Sequence, residues 1–515
     1  MGGMVKKFGF LGLALCLAAC GPAANQIARD RAREERTNQV LAEALVKEGH
    51  YSAFKKAFAL YRSLYARPSL RPKVAAGYVG AGLLLALRER HLGVDNPATL
   101  AEVNGVIGKE RSLAAFAAPA FMLSAVPVET PGVMKDISAS LWSEDTLNLL
   151  RTAEDDLRSR ALSDEIGAAV LVAWSCAGGR YSPGYRDPAG ILAAHRDSLL
   201  LLYEAALCGG VNAAFFEGLL KEDPAFSEAD YHLGQAALGE KRLFDAESHL
   251  LRAFEAIPES AQPPILLAGI YFATEEFETS LRFYDLVLEI APEYRDAFLG
   301  RAIALAYLGR HDESMGALNR ILELGFWLVG ESHYWLAWNL SAARRAGEAL
   351  GHIDEAKSRL PTNTHVFSLA GKIAAELGSA EKAEKDFREA VSLDQGNTDA
   401  LFGLGALLSR QSRWPEAGEF YEKASAAYDA EAAAIGAAIK DLEKATISPD
   451  RKARLLQRRS AQLERSRIES ATSAYNAAAA YINAGMPGKA RDAAAKAADH
   501  PVFKDRVQAL LLSIK

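Results

Sequence analysis

The feature that most constrains the fold is a repeat of about 34 residues in the middle of the chain. A small residue recurs at intervals of 34, 34, 35, 34 and 34 residues. Such a period predicts helical hairpins, each made of two amphipathic helices that pack closely through the small residue. One hairpin alone leaves an apolar face exposed, so neighbouring hairpins must stack to bury it. The six small residues are Ala246, Ser280, Ser314, Ala349, Ala383 and Ala417.

Two glycines predict where first helices end. Gly309 and Gly378 each lie five residues before a small residue. A helix that ends in a tight turn needs a residue with positive φ, which glycine adopts without strain. We therefore expect a left-handed backbone at both positions.

The period and the small-residue pattern resemble the tetratricopeptide (TPR) repeat. Six units cover residues 227–425, and a weaker seventh fits near the C-terminus, where Tyr481, Ala490 and Ala497 fall at the expected offsets. The units lack the Trp that is usual in the first helix, and Phe326 stands where Pro often closes a unit. The resemblance implies an all-α, TPR-type α-solenoid, a right-handed superhelix whose first helices line a concave groove.

The remaining segments are also expected to be helical. Residues 38–220 are rich in Ala and Leu and predict an irregular helical N-terminal domain that divergent repeats could build. Residues 426–470 form a helical insertion, in which Ser448, Pro449 and Asp450 begin a basic helix that we expect to be solvated. Residues 471–515 form a C-terminal TPR-like hairpin and cap.

The N-terminus resembles a bacterial lipoprotein signal. Lys6 and Lys7 precede ten apolar residues, which are too few to span a bilayer, and Leu17-Ala-Ala-Cys20-Gly21 then matches the lipobox. The resemblance implies removal of residues 1–19, lipidation of Cys20 and a polar tether over residues 20–37. Gly21, in place of Asp, implies an anchor in the outer membrane that faces the periplasm.

Composition and motifs argue against several classes of function. The net charge of −6 does not favour nucleic acid as a partner. The ten His residues show no paired metal-ligand spacing, and no catalytic motif occurs in its required context. The sequence therefore predicts no catalytic residue, metal site or cofactor, although an enzyme with a site in residues 67–220 is kept as a weak alternative.

Two cysteines remain beyond the lipid anchor. Cys176 and Cys208 are 32 residues apart, close to the length of one helical hairpin. An exported compartment permits a disulfide between them. The alternatives are a Cys176–Cys208 bridge and two buried free thiols.

An aromatic cluster suggests where a partner binds. Five aromatic residues, including Tyr334 and Trp338, fall within a stretch of thirteen. The TPR resemblance places groove-lining residues at the second, fifth, ninth, twelfth and thirteenth places of each unit. These are the candidates for the partner-binding groove: Ile265, Phe272, Leu299, Ile303, Tyr307, Tyr334, Trp338, His365, Ser368, Lys372, Glu376, Phe402 and Arg410. The alternative is that the aromatic side chains only pack in the core.

These features predict a lipid-anchored TPR adaptor of the bacterial envelope. It binds a protein or peptide in its groove and supports assembly of an envelope complex. The main alternative is a periplasmic small-molecule-binding component associated with a transporter. A long open groove favours the first, and a closed water-excluding pocket favours the second.

Overall fold

The structure is a computed structural model that describes residues 5–125, 144–160, 164–178, 189–207, 211–325 and 328–512. It divides into two compact units, residues 1–264 and 265–515. Every regular element in the described part of the chain is helical, which confirms the all-α prediction.

Unit 1 is a series of helices of irregular length. A short 3₁₀ turn at Arg111–Phe116 precedes the fifth helix. The helices are α1 (Val5–Glu48), α2 (Tyr51–Tyr65), α3 (Arg71–His91), α4 (Pro97–Ile107), α5 (Ala117–Ala125), α6 (Glu144–Arg160), α7 (Glu165–Gly178), α8 (Ala189–Ala194), α9 (Leu199–Leu207), α10 (Ala213–Glu222), α11 (Glu228–Gly239) and α12 (Leu243–Ala256).

The first helix includes the segment that the sequence suggested as a tether. Residues 20–37 are helical within α1, and the side chains described at 26–34 are exposed. A helix of 18 residues reaches about 27 Å, less than half of the extended length of about 60 Å. In the described part of the chain, no helix is both long and apolar enough to cross a bilayer.

Unit 2 continues as regular hairpins. Helix α13 (Gln262–Ala273) begins just before it, and a 3₁₀ turn at Pro501–Phe503 precedes the last helix. The other helices are α14 (Phe277–Ile290), α15 (Arg295–Tyr307), α16 (His311–Glu323), α17 (Val329–Ala342), α18 (Ala346–Arg359), α19 (Thr364–Glu376), α20 (Ala380–Leu393), α21 (Thr398–Arg410), α22 (Trp414–Lys444), α23 (Pro449–Asn483), α24 (Pro487–Ala498) and α25 (Lys504–Leu511).

The small residues of the repeat take the positions that the period predicted. Each is the fourth residue of a second helix, and all six are fully buried. Ser280 Oγ donates to Ala268 O at 2.8 Å, and Ser314 Oγ donates to Ala302 O at 2.7 Å. A side chain that reaches the backbone of the facing helix shows why this position must be small: the two helices lie in close contact here.

A left-handed residue precedes every one of these second helices by the same interval. Gly309 has φ +75° and Gly378 has φ +77°, which confirms both predictions. Four units place a residue other than glycine at this turn, with φ near +60°, namely Lys241, Glu275, Arg344 and Ser412. The turn geometry is therefore imposed by the stacked hairpins even where the sequence does not favour it locally.

The insertion at residues 426–470, which we call the arm, extends two helices of the array. Helix α22 has 31 residues and α23 has 35, whereas α13 to α21 have 12 to 14. Small polar residues link the two helices of the arm. Ser425 Oγ lies 3.0 Å from Ser470 Oγ, and Ser466 Oγ donates to Tyr428 O at 3.1 Å. The expectation of a solvated basic helix is wrong for one face of α23, which packs on the α13–α14 turn.

Candidate partner-binding site

Aromatic residues from three consecutive hairpins of unit 2 form one continuous patch. Tyr307, the last residue of α15, stacks on Phe277 with ring centroids 4.9 Å apart and meets Phe272 edge-on at 5.4 Å. On its other side, Tyr307 lies 5.8 Å from both Trp335 and Trp338 of α17. We call Phe272, Phe277, Tyr307, Tyr334, Trp335 and Trp338 the aromatic patch.

Tyr307 is both the centre and the most accessible part of the patch. It is 49% exposed, whereas Tyr334, Trp335 and Trp338 are half-buried. Trp335 packs 5.6 Å from Trp338 and 5.2 Å from Tyr334, so the rings support one another. Tyrosine and tryptophan in such a position combine large apolar area with a polar group, as is typical of anchors in protein interfaces.

The surroundings raise the pKa values of two phenols of the patch. Burial raises the pKa of Tyr307, and the nearby Glu275 carboxylate raises it further. Burial, together with Tyr307 and Asp399, raises the pKa of Tyr334 to about 12. Both hydroxyl groups are neutral hydrogen-bond donors at physiological pH, as an unperturbed phenol also is.

The inner edges of the patch contribute to the core. Tyr334 and Trp338 pack against a buried cluster that includes Ala337, Ile353 and Ile373. Each of these side chains therefore supports the core and stays partly accessible, and its role in partner binding stays a prediction. Tyr307, about half exposed, is the most accessible of the six.

The structure brings some of the predicted groove residues together and separates others. Phe272, Tyr307, Tyr334 and Trp338 share the patch. Phe402 instead meets Tyr421 edge-on at 5.4 Å and packs on the C-terminal core. The remaining candidates are the half-buried Ile265, Leu299 and Ile303, the exposed His365, Lys372, Glu376 and Arg410, and Ser368, which is buried and does not line an open surface.

Sequence reasoning missed two members of the patch. Trp335 lies one residue after a predicted groove-lining position, so the repeat pattern did not identify it as a lining residue. Phe277 is the first residue of a second helix, whereas the map considers only first helices. The density of aromatic residues pointed to Trp335, but only the folded hairpins show that Phe277 stacks on Tyr307.

Several predicted features lie outside the described residues. Cys208, Phe326 and Trp327 fall there, as do the side chains of Cys20 and Cys176. Lipidation at Cys20 and a Cys176–Cys208 bridge therefore stay predictions.

Unit 1 contains a second notable cluster, made of buried charged and polar groups. The guanidinium carbon of Arg88 lies 3.3 Å from the ring centroid of Tyr203, and the Tyr203 hydroxyl lies 2.6 Å from His232 Nε2. Glu228 Oε1 accepts a 2.7 Å hydrogen bond from the backbone N–H of Tyr51. At most 4% of each of these residues is exposed.

One acid–imidazole pair of this cluster is strongly perturbed by burial. His91 Nε2 lies 3.1 Å from Glu204 Oε2, but neither Glu204 oxygen has a well-oriented hydrogen-bond partner among the described residues. Burial raises the pKa of Glu204 to about 8 and holds the pKa of His91 well below its usual value. Because Glu204 is closed to solvent, the pair is better suited to a structural role than to acting on a substrate.

The described residues contain no group of three or more His, Cys, Asp or Glu side chains placed to hold a metal ion.

No protein-family model matches the chain. It is 26% identical over 208 residues to tetratricopeptide repeat protein 8 of Caenorhabditis elegans, a match over 36% of this chain and 40% of that protein. It is also 26% identical over 192 residues to the human protein O-mannosyl-transferase TMTC1, over 36% of this chain and 21% of that protein. The chain thus spans less than half the length of each of these relatives.

Solved structures with similar hairpins include the TPR protein YrrB, described as having an unusual peptide-binding site. It is 24% identical with a TM-score of 0.28, over 35% of this chain and 91% of that one. A TPR protein from Parabacteroides merdae is 15% identical with a TM-score of 0.37, over 50% of this chain and 93% of that one. The sequence relatives and the chain's own hairpin geometry together support an array of the tetratricopeptide repeat type.

Proposed function

We propose that this protein is a lipid-anchored TPR adaptor of the bacterial envelope. A TPR array is typical of scaffolds for protein interactions, and here the aromatic patch is the site at which a protein or peptide partner binds. The observation that carries this proposal is the half-exposed Tyr307 at the centre of aromatic rings from three hairpins.

The geometry of the patch favours recognition of apolar side chains. Tyr307 is fixed by ring contacts on both sides, so little conformational entropy is lost when a partner covers it. Apolar area rimmed by charge is a frequent signature of protein recognition. The role we propose is binding, with no chemical step.

The proposed location rests on the N-terminal sequence. Lipid on Cys20 would attach the chain to the membrane, with Gly21 favouring the outer membrane and the folded units facing the periplasm. Several acyl chains provide stable anchoring where one chain gives marginal binding. From this position the adaptor would hold its partner near the membrane during assembly of an envelope complex.

Site-specific photocrosslinking in cells tests the binding site. A benzophenone amino acid at Tyr307 should give a discrete protein adduct that mass spectrometry identifies. The same amino acid at Asn319, which is exposed on the second helix α16, is the matched control and should not give that adduct.

Two outcomes would contradict the proposal. Equal adducts from both positions would show that labelling is non-specific. The absence of a protein adduct at Tyr307, together with retention of a small molecule by the purified chain, would favour the small-molecule alternative.

A further inference from the structure

The arm carries a basic face at its far end. Arg451, Arg458, Arg459 and Gln462 lie at positions i, i+7, i+8 and i+11 of α23, so they share one side of the helix. This face lies on residues 273–276, the turn between α13 and α14, which we call the corner. The contact joins residues that are 175 to 187 positions apart in the chain.

Two arginines bind the backbone at the end of α13. Arg458 Nη1 donates to Thr274 O at 3.2 Å and to Glu275 O at 2.6 Å. Arg459 Nη2 donates to Ala273 O at 2.7 Å. The last carbonyls of a helix have no partner within it and carry the negative end of the helix dipole, so they attract guanidinium groups.

The corner also offers two carboxylates and an aromatic ring. Arg451 Nη2 lies 2.6 Å from Glu276 Oε2, and each side chain is only 15% exposed. The guanidinium of Arg451 also lies 5.0 Å from the ring centroid of Tyr271. Glu275 Oε1 accepts from Gln462 and lies 3.4 Å from Arg459 Nη1. Carbonyls, carboxylates and a ring together form a binding site for a helix that bears arginines.

The corner and the aromatic patch form one continuous surface. Phe272 immediately precedes the corner and Phe277 immediately follows it, and both rings contact Tyr307. The Glu275 carboxylate is close enough to Tyr307 to raise the pKa of its hydroxyl. A helix seated on the corner therefore lies beside the patch.

We propose that the arm is an internal ligand of this surface, and that the partner presents a basic amphipathic helix which displaces the arm from the corner. This inference rests on the proposed function and adds the chemistry of the partner. The partner helix carries arginines at the spacing of Arg451, Arg458 and Arg459 for the corner, next to an apolar face for the patch.

The contact is of a kind that a competitor can replace. The Arg459–Glu275 pair, with 27% of each side chain exposed, is partly screened by salt, and the Arg451–Glu276 pair, with 15% of each exposed, is screened less. The arm competes chiefly because it is tethered, which gives it an effective concentration on the order of millimolar. A partner helix that also covers the aromatic patch gains contacts that the arm lacks.

Binding of a separate peptide to the full chain tests this proposal. The probe is a fluorescein-labelled peptide with the sequence of residues 449–466, measured by fluorescence anisotropy. The released variant combines Arg458→Glu with Arg459→Glu, which should detach the arm and expose the corner. The control combines Arg454→Glu with Arg467→Glu, an equal charge change at two exposed arm residues outside the docking face.

We expect the released variant to bind the peptide at least tenfold more tightly than wild type and the control. Adding Glu275→Lys and Glu276→Lys to the released variant should abolish binding. If the released variant does not fold by circular dichroism, the milder Arg459→Ala replaces it, with a smaller increase expected.

Equal peptide affinity in the wild type, released and corner variants, or no binding to any of them, would overturn the inference. These results are separable from a failure of the proposed function. No peptide binding together with a protein adduct at Tyr307 would reject only the internal-ligand role. Peptide binding without any adduct at Tyr307 would instead reject the partner site.

Discussion

Arg451 Nη2 and Glu276 Oε2 lie 2.6 Å apart although 175 residues separate them in the chain. Their contact joins the arm to the α13–α14 hairpin, the second hairpin of the array. It links the basic arm to the border of the aromatic patch, because Phe277 directly follows Glu276. The two parts of the sequence that looked unrelated therefore meet at one surface.

Substitutions at different residues of the aromatic patch should affect partner binding and protein stability to different extents. Tyr307→Ala should abolish partner crosslinking and lower the free energy of unfolding by about 1 kcal/mol or less, because the side chain is half-exposed. Trp338→Ala should cost about 2–4 kcal/mol, because its inner edge packs on the core. Thermal melting beside crosslinking yield measures both effects. Retained partner capture by a folded Tyr307→Ala chain would refute the anchor role.

The buried hydroxyl of Ser314 should make a measurable contribution to the free energy of unfolding. It donates to Ala302 O at 2.7 Å and accepts from Asn339 Nδ2 at 3.0 Å. Ser314→Ala should therefore lower the free energy of unfolding by about 1–2 kcal/mol. Ser358→Ala, at an exposed position of α18, is the control and should change stability little. Equal effects in denaturant titrations would show that the interhelical bond contributes nothing.

Glycine should be the more stable residue at both kinds of turn with positive φ. Arg344 is exposed and has φ +61°, so Arg344→Gly should relieve strain and stabilise the chain by about 1 kcal/mol. Gly378 has φ +77°, so Gly378→Ala should destabilise it by a similar amount. Chemical denaturation of both variants checks the prediction. A loss of stability in Arg344→Gly would mean that the turn gains more from the side chain than it loses in strain.

Glu204 should make the stability of unit 1 decrease as pH rises. Its pKa is about 8 in the folded chain because of burial, and near 4.5 when unfolded. The folded state therefore keeps a proton that the unfolded state releases, and stability falls from pH 4.5 to about pH 8. His91 and His232, whose pKa values burial lowers, have the opposite effect, with stability lost as pH falls below about 6.5.

A matched pair of variants isolates the contribution of Glu204. Glu204→Gln removes the ionisable group, so the variant should gain stability relative to wild type as pH rises from 4.5 to 8. Glu217→Gln, at an exposed position of α10, is the control. Melting temperatures across this range measure the difference. Parallel pH profiles for wild type and Glu204→Gln would show that Glu204 does not hold the proton.

The lipid anchor is testable without reference to the fold. Cys20→Ser removes the thiol at which we propose that lipid is attached. The variant should lose incorporation of labelled palmitate and should either appear in the soluble periplasmic fraction or remain unprocessed. A Cys20→Ser chain that fractionates and migrates like wild type would show that the N-terminal resemblance is misleading.

The sequence by itself determined the repeat architecture, because local chemistry recurs at a fixed interval. Six small residues and the glycines at 309 and 378 specify where helices touch and where they turn, whatever lies further along the chain. The same periodicity located Tyr307 and Trp338 on neighbouring first helices, and their rings do meet.

Only the tertiary structure decided what the non-repeating parts contact. A run of arginines in α23 looks like a solvated surface, since its partners at the corner lie more than 170 residues earlier and include backbone carbonyls that no sequence pattern marks. Glu275 takes a left-handed turn only because the stacked hairpins impose it. Contacts between residues distant in the chain depend on the summed rotation of the repeats, which local propensity does not determine.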